Sequence, residues 1–221
     1  IWISGQKCAT SPQAKTNGDS SAIRKNLRSP VLSPEESIKK MHIENGFEVK
    51  LVAAEPLITA PVALNFDEKG RIWVLDMNDY MPDTAGTGED KPSGKIVILS
   101  DSNGDGIMDS RKVFLDSLVL PRALCLIENG ILVAEPPKLW YYEIRNDRPV
   151  NKTLVDSEYA AGGNVEHQPN GLLRALDNWI YNAKSAKRYR KKGNRWLIEK
   201  TAFRGQWGIS QNDQGRLYYN N

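Results

Sequence analysis

Pro61-Val-Ala-Leu-Asn-Phe-Asp-Glu-Lys-Gly70-Arg-Ile-Trp-Val74 is an apolar run, a polar turn closed by glycine, and a second apolar run. The same unit returns three times. It reappears as Pro121-Arg-Ala-Leu-Cys-Leu-Ile-Glu-Asn-Gly130-Ile-Leu-Val133 and as Asn170-Gly-Leu-Leu-Arg-Ala-Leu-Asp-Asn178-Trp-Ile-Tyr181. The last copy is Gln206-Trp-Gly-Ile-Ser-Gln-Asn-Asp-Gln-Gly215-Arg-Leu-Tyr-Tyr219. Each copy puts Gly or Asn where a tight hairpin needs positive φ. The turn residues Gly70, Gly130, Asn178 and Gly215 lie 60, 48 and 37 residues apart. A two-strand unit recurring every ~40–50 residues is the spacing of β-propeller blades.

A loop at residues 79 to 94 and an Asp-rich turn after it widen the first interval. Lys95–Leu99 with Val113–Leu115, and Leu139–Ile144 with Val150–Leu154, read as the outer strands of blades. No helical period survives past residue 45. The expectation is an all-β chain, a β-propeller of about four blades out of six, preceded by a short helix. Hairpins alone also suit a β-sandwich, which is the structural alternative.

Upstream, Ser33-Pro34-Glu35-Glu36 supplies a capping Ser, Pro at the first helical position and Glu three residues after the cap. The pattern predicts a helix over 34–43 with Ile38, Met41 and Ile43 inward, ended by Gly46. Phe47-Glu48-Val49-Lys50-Leu51-Val52 alternates as a half-buried strand does. Residues 1–32 are rich in Ser, Lys, Asn, Gln and Pro and read as a lead-in or linker. The expected domain is 33–221.

Composition agrees with a folded chain. The 221 residues are 40 % hydrophobic, with 17 Gly, 12 Pro and a formal charge of +3. That excludes a disordered chain, and no run approaches the ~18 apolar residues of a membrane-spanning helix. Cys8 and Cys125 stand in unlike settings, one in a polar tail and one in an apolar run, so they do not read as a disulfide framework. Cys125 reads as a small buried hydrophobe. No C-x-x-C-H haem attachment motif occurs. Ile1–Gly5 is too short for a signal-peptide core.

Four stretches carry candidate chemistry. Asp101-Ser-Asn-Gly-Asp105-Gly-Ile-Met-Asp109 has oxygen side chains at positions 1, 3 and 5 and Gly at 6. That order lets a chain curl around Ca²⁺, with Asp101, Asn103, Asp105, the Ile107 carbonyl and Asp109 as ligands. The same residues also make a plain hairpin turn. Lys112 at position 12 and the strand-like flanks exclude an EF-hand.

His167 lies in Asn164-Val-Glu-His-Gln-Pro-Asn170-Gly171, just before an inner strand. It reads as a base for a substrate alcohol or as a loop His making structural hydrogen bonds. Glu166 is the weaker candidate, because an extended segment points it elsewhere. Arg204-Gly-Gln206-Trp207-Gly208 presents a cation, an amide and an aromatic face at what is expected to be the same end. Arg204 suits a carboxylate, while Trp207 also suits a core position. Lys184 to Lys200 holds eight basic residues and one acid, with Tyr189 and Trp196 between them. A solvated hairpin turning at Gly193-Asn194 explains that run without nucleic acid as a partner.

These stretches together carry a resemblance. Gly46–Pro56, Phe66–Val74, Asp101–Asp109, Asn164–Gly171, Leu176–Tyr181 and Arg204–Gly208 resemble a membrane-bound dehydrogenase family of planctomycete and related bacteria. That family is similar to the soluble glucose/sorbosone dehydrogenases that use pyrroloquinoline quinone (PQQ). The resemblance implies a six-bladed propeller, export from the cytoplasm, PQQ as cofactor beside the Ca²⁺ read from the Asp-rich loop, a sugar or other alcohol as substrate, and cytochrome c as an electron acceptor. It assigns the catalytic base to His167, followed by Asn170-Gly171; from the residues themselves Arg204 is a further catalytic candidate, and Arg204, Gln206 and Trp207 are the candidate cofactor contacts. In the relatives His, Asn and Gly are adjacent; here Gln168-Pro169 intervenes. With the lead-in removed, about 190 residues remain, four blades at ~40–50 each. The expectation is a piece of a longer propeller.

Overall fold

The computed structural model describes residues 30–220. The described residues fall into two units that divide between Val49 and Lys50. In the first unit, helix α1 spans Pro34–Lys39 and has the predicted capping box. Ser33 Oγ accepts the Glu36 N–H at 3.2 Å, and Glu36 accepts the Ser33 N–H at 2.9 Å. The helix is shorter than the pattern predicts and buries none of its residues. Met41 and Ile43 are exposed. The alternating stretch 47–52 is irregular backbone belonging to no sheet. Period two marks a strand only where a neighbouring edge supplies hydrogen-bond partners.

The second unit is all β. Strands β1 (Pro61–Phe66), β2 (Ile72–Asp76), β3 (Gly94–Ser100) and β4 (Ser110–Leu118) form one antiparallel sheet in chain order. β5 (Ala123–Ile127), β6 (Gly130–Glu135), β7 (Lys138–Arg145) and β8 (Arg148–Asp156) form the second. β9 (Asn170–Arg174), β10 (Ile180–Ala183), β11 (Ser185–Lys192) and β12 (Arg195–Arg204) form the third. β13 (Ser210–Gln211) and β14 (Leu217–Tyr218) pair as a two-stranded sheet. Three blades are therefore complete, and the fourth copy of the repeat is a hairpin.

Burial distinguishes the propeller from the sandwich. On β2, Trp73 and Leu75 pack toward blade 2 with Leu124, Ile131 and Val133, while Ile72 and Val74 pack on the opposite face with Met108, Ala53 and Leu57. On β6, Ile131 and Val133 face blade 1, and Leu132 and Ala134 face blade 3 with Leu172, Ile180 and Tyr189. A middle blade buried on both faces is what radial stacking requires; a sandwich sheet buries one. Each fully buried Leu, Ile or Val contributes about 1.5–3 kcal/mol. The inner strands β1, β5 and β9 run side by side, lining the channel.

The repeat also has a local cause. Asp67 accepts the Lys69 and Arg71 backbone N–H groups, both at 3.0 Å, and the Trp73 indole N–H at 3.0 Å. Asp177 and Asn212 hold the turns of the later copies in the same way. Gly70, Asn178 and Gly215 have positive φ as expected. Gly130 does not. In blade 2 Glu128 takes φ 45°, and Gly130 is required because a Cβ there would lie 2.4 Å from the Tyr141 ring.

Candidate functional site at the channel mouth

The loops that lead into the inner strands meet at one end of the channel. They surround a cavity of about 190 Å³ whose lining includes Tyr80, Arg122, Glu166, Asn170 and Trp207. Tyr80 comes from the long loop between β2 and β3. That loop is held by Asn78, which donates to Ser93 O at 3.0 Å, by a Ser93–Asp79 hydrogen bond, and by Asp83, which accepts the Ala85 and Thr87 N–H groups. Tyr80 donates its phenolic proton to Glu166 Oε1 at 2.5 Å. That hydrogen bond pushes the phenol up to about 12.

Arg122 stands at the start of β5 and is 6 % exposed. Its Nη1 donates to the Val165 carbonyl, and its buried Nε has no partner. Burial pushes its pKa below the ordinary arginine value. Among the described residues no carboxylate forms an ion pair with it. Arg122 and Tyr80 belong to no catalytic motif legible in the sequence, and Glu166 stands beside the rarer His167. The legible signal was Arg122's place, directly after the proline that opens a repeat.

The predicted residues separate. His167 ends a 3₁₀ turn, Val165–His167, and is exposed; it is outside the cavity lining, into which Glu166 projects instead. The turn is not extended, because Asn164 caps it by accepting the Glu166 N–H at 3.0 Å. Asn170 is buried, and its Nδ2 donates to the Gln168 and Gln206 carbonyls at 3.2 and 2.9 Å. Its Oδ1 accepts the Gly208 N–H at 2.8 Å. It fastens two repeats, with both amide N–H groups used in doing so.

Arg204 ends the outermost strand, β12, where its guanidinium lies 5.5 Å from the Tyr219 ring, and it does not line the cavity. Gln206 and Trp207 donate their backbone N–H groups to Asn220 Oδ1 at 3.1 and 3.0 Å. Trp207 is 55 % exposed at the cavity edge and is not core.

In the Asp-rich loop the candidate Ca²⁺ ligands Asp101, Asn103, Asp105 and Asp109 accept hydrogen bonds from within the loop, and Ile107 donates its N–H to Asp105. Asp101 accepts the Gly104 and Gly106 N–H groups at 2.7 and 2.8 Å, which holds its carboxyl below the usual range. Asn103 accepts the Asp105 N–H, Asp105 accepts the Ile107 N–H, and Asp109 accepts from Ser102. Among the described residues no three His, Cys, Asp or Glu side chains converge. Successive N–H groups in a turn with positive φ at Gly104 and Gly106 need acceptors, and these side chains supply them.

In the basic hairpin Tyr189 is fully buried and Trp196 stands edge-on to Tyr141 at 5.5 Å, so neither is a free stacking platform. Lys187, Arg188 and Lys191 are paired with Asp156, Glu199 and Glu128. Cys125 is buried, and burial pushes its thiol up to about 11. Cys8 lies outside the described residues. Among the described residues no helix is long and apolar enough to cross a membrane.

A family model for a domain of unknown function, DUF7133, matches residues 33–221, the whole span from the helix cap through the last repeat. The chain belongs to the DUF7133 family. No curated protein matches it. Among solved structures, this DUF7133 chain is similar to the holo form of the pyranose dehydrogenase PQQ domain from Coprinopsis cinerea, at 12 % identity and a TM-score of 0.51. That match covers 80 % of this chain and 46 % of the other. Virginiamycin B lyase from Staphylococcus aureus matches at 12 % identity and a TM-score of 0.45, covering 76 % of this chain and 51 % of that one. Regucalcin, a calcium-binding protein from Agrobacterium tumefaciens, matches at 13 % identity and 0.43, covering 66 % and 46 %. The DUF7133 chain thus spans about half the length of the solved structures it matches. The likeness to the Coprinopsis cinerea domain is one of fold, and the fold is that of a propeller.

Proposed function

We propose that this chain carries the substrate face of a propeller oxidoreductase that acts on a sugar-type alcohol at the channel mouth. The observation that carries the reading is Glu166, a carboxylate held in the channel cavity by a 2.5 Å hydrogen bond from Tyr80. A carboxylate placed there accepts the proton of a bound hydroxyl as the alcohol is oxidised, and Tyr80 keeps it oriented. Trp207 offers an exposed aromatic face for the C–H face of a sugar ring. The fold likeness to a PQQ-bearing dehydrogenase domain supports the oxidoreductase class.

The described residues do not fit PQQ itself. That quinone carries three carboxylates, and the cavity lining offers a single cation, Arg122, beside the acid Glu166. Arg204 is on the outer strand. No step is therefore derived through the quinone, and in this proposal the hydride acceptor is held outside the described residues. An exported location, membership of the membrane-bound dehydrogenase type and a cytochrome c electron acceptor belong to the same proposal on the sequence resemblance.

The test is dye reduction by the protein across a panel of sugars, with the dye as the electron acceptor and with and without added PQQ. Activity is expected to fall at least about 100-fold in Glu166→Gln and to survive in His167→Ala. Loss in His167→Ala with full activity in Glu166→Gln would return the base to His167. Sugar binding without any dye reduction would select the second reading, a non-catalytic propeller that binds carbohydrate or a protein partner. The exposed Trp207 favours that second reading over an empty scaffold.

A further inference from the structure

The least compensated group in the channel mouth is Arg122. Buried charges are ordinarily paired, because an ion taken out of water costs several kcal/mol without a partner. The buried carboxylate Asp156 obeys that rule, holding Lys187 Nζ at 2.7 Å. Arg122 does not. One nitrogen, Nη1, is on the Val165 carbonyl, and the Nε–Nη2 edge of the fork carries no hydrogen bond. The other titratable groups that act on the Arg122 charge are the phenols of Tyr80 and Tyr159. Burial raises the Tyr159 phenol, and Glu166 holds the Tyr80 proton, so both rings are neutral.

We infer that Arg122 anchors the carboxylate of an acidic sugar, a uronate or aldonate, in the channel cavity. The inference rests on reading this cavity as a sugar site and narrows its substrate class. A guanidinium carries parallel N–H donors that match the two oxygens of a carboxylate, and Arg122 lines the cavity. A phosphate dianion suits the site less, because Glu166 opposes it across the same cavity and there is one cation to receive it. A monoanion that also carries hydroxyl groups satisfies both sides: its carboxylate meets Arg122, its hydroxyls meet Glu166 and Tyr80, and its ring lies against Trp207. The cavity has room for one ring.

Calorimetric titration of the protein with D-glucuronate, D-glucose, inorganic phosphate and PQQ tests this. Glucuronate is expected to bind at least about tenfold more tightly than glucose, the value of one charge-assisted hydrogen bond. Arg122→Gln removes that preference while glucose binding persists, and Arg122→Lys retains part of it. In the wild type, acetate is expected to compete with glucuronate and not with glucose, which tests the anchor even if the Arg122 variants fail to fold. Equal binding of glucuronate and glucose overturns the inference and leaves the sugar reading standing. Binding of neither sugar overturns both. Tighter binding of phosphate, or displacement of glucuronate by PQQ that depends on Arg122, overturns the acidic-sugar assignment in favour of those anions. A glucuronate preference without dye reduction supports the anchor and removes the oxidoreductase reading alone.

Discussion

Asn170 and Gly208 are joined by a 2.8 Å hydrogen bond from the glycine N–H to the asparagine Oδ1. The bond fastens the first residue of β9 to the opening of the next repeat. Asn170 also donates twice, to Gln168 O and Gln206 O. A buried amide with three partners is a structural clasp, and removing it leaves an N–H and two carbonyls short of partners. Asn170→Ala is therefore expected to cost about 2–3 kcal/mol of stability, read as a lowered midpoint in chemical denaturation. A variant of unchanged stability that had lost activity would restore the catalytic role implied by the resemblance.

Gly171 makes a closer approach at the same junction. A Cβ on Gly171 would lie 2.4 Å from the Cα of Gly208, and its φ of +65° already disfavours any side chain. Gly171→Ala is expected to destabilise the fold by more than about 2 kcal/mol, from strain and backbone displacement together. Gly163 has φ of +88° and open space around its Cβ position, so Gly163→Ala isolates the backbone term at about 1 kcal/mol. Equal denaturation midpoints for the two variants would show that the backbones of the two repeats part easily.

The Asp-rich loop yields a test by metal. With Asp101 and Asp105 already accepting backbone N–H groups, Ca²⁺ is expected to leave the thermal midpoint unchanged, and a chelator is expected to do the same. Asp101→Ala removes the acceptor of two N–H groups and is expected to lower the midpoint more than Asp105→Ala, which removes the acceptor of one. A Ca²⁺-dependent rise in midpoint that disappears in Asp105→Ala would show that the loop rearranges into the cage its spacing suggests.

The contrast between these sites explains what was legible in the sequence. Blade positions were legible because Asp67, Gly70 and Trp73 act within one hairpin, so their spacing along the chain is their spacing in space. The same locality let Ser33 and Glu36 announce a helix cap. The channel mouth assembles residues from four separate loops, and nothing in the chain order of Tyr80, Arg122 and Glu166 brings them together. His167 drew attention as a rare residue type, while its neighbour Glu166 projects into the cavity because a 3₁₀ turn, not an extended strand, carries them. The length of the helix and the irregular path of 47–52 were lost for a related reason. Periodicity records which side chains could be buried, and tertiary contacts decide whether they are.

Acid stability offers the sharpest check on packing between blades 2 and 3. Asp156 of β8 is nearly buried and accepts from Lys187 Nζ at 2.7 Å, from Tyr189 Oη at 2.8 Å and from the Glu158 N–H at 2.9 Å. Burial alone would raise its pKa, but these hydrogen bonds outweigh burial and hold it below the ordinary carboxylate value. A carboxyl whose folded pKa lies below its unfolded value, near ~3.9, binds more protons when unfolded. Its contribution is complete above the unfolded pKa and is lost as the pH falls through the folded one. The stability of the wild type is thus expected to decline below about pH 4. Asp156→Asn removes one partner of a buried pair and is expected to cost about 3 kcal/mol at neutral pH. Because it cannot titrate, it should also show a shallower acid limb below about pH 4. Denaturation curves at several pH values measure both effects, and parallel acid limbs in the two proteins would move the titrating group away from Asp156.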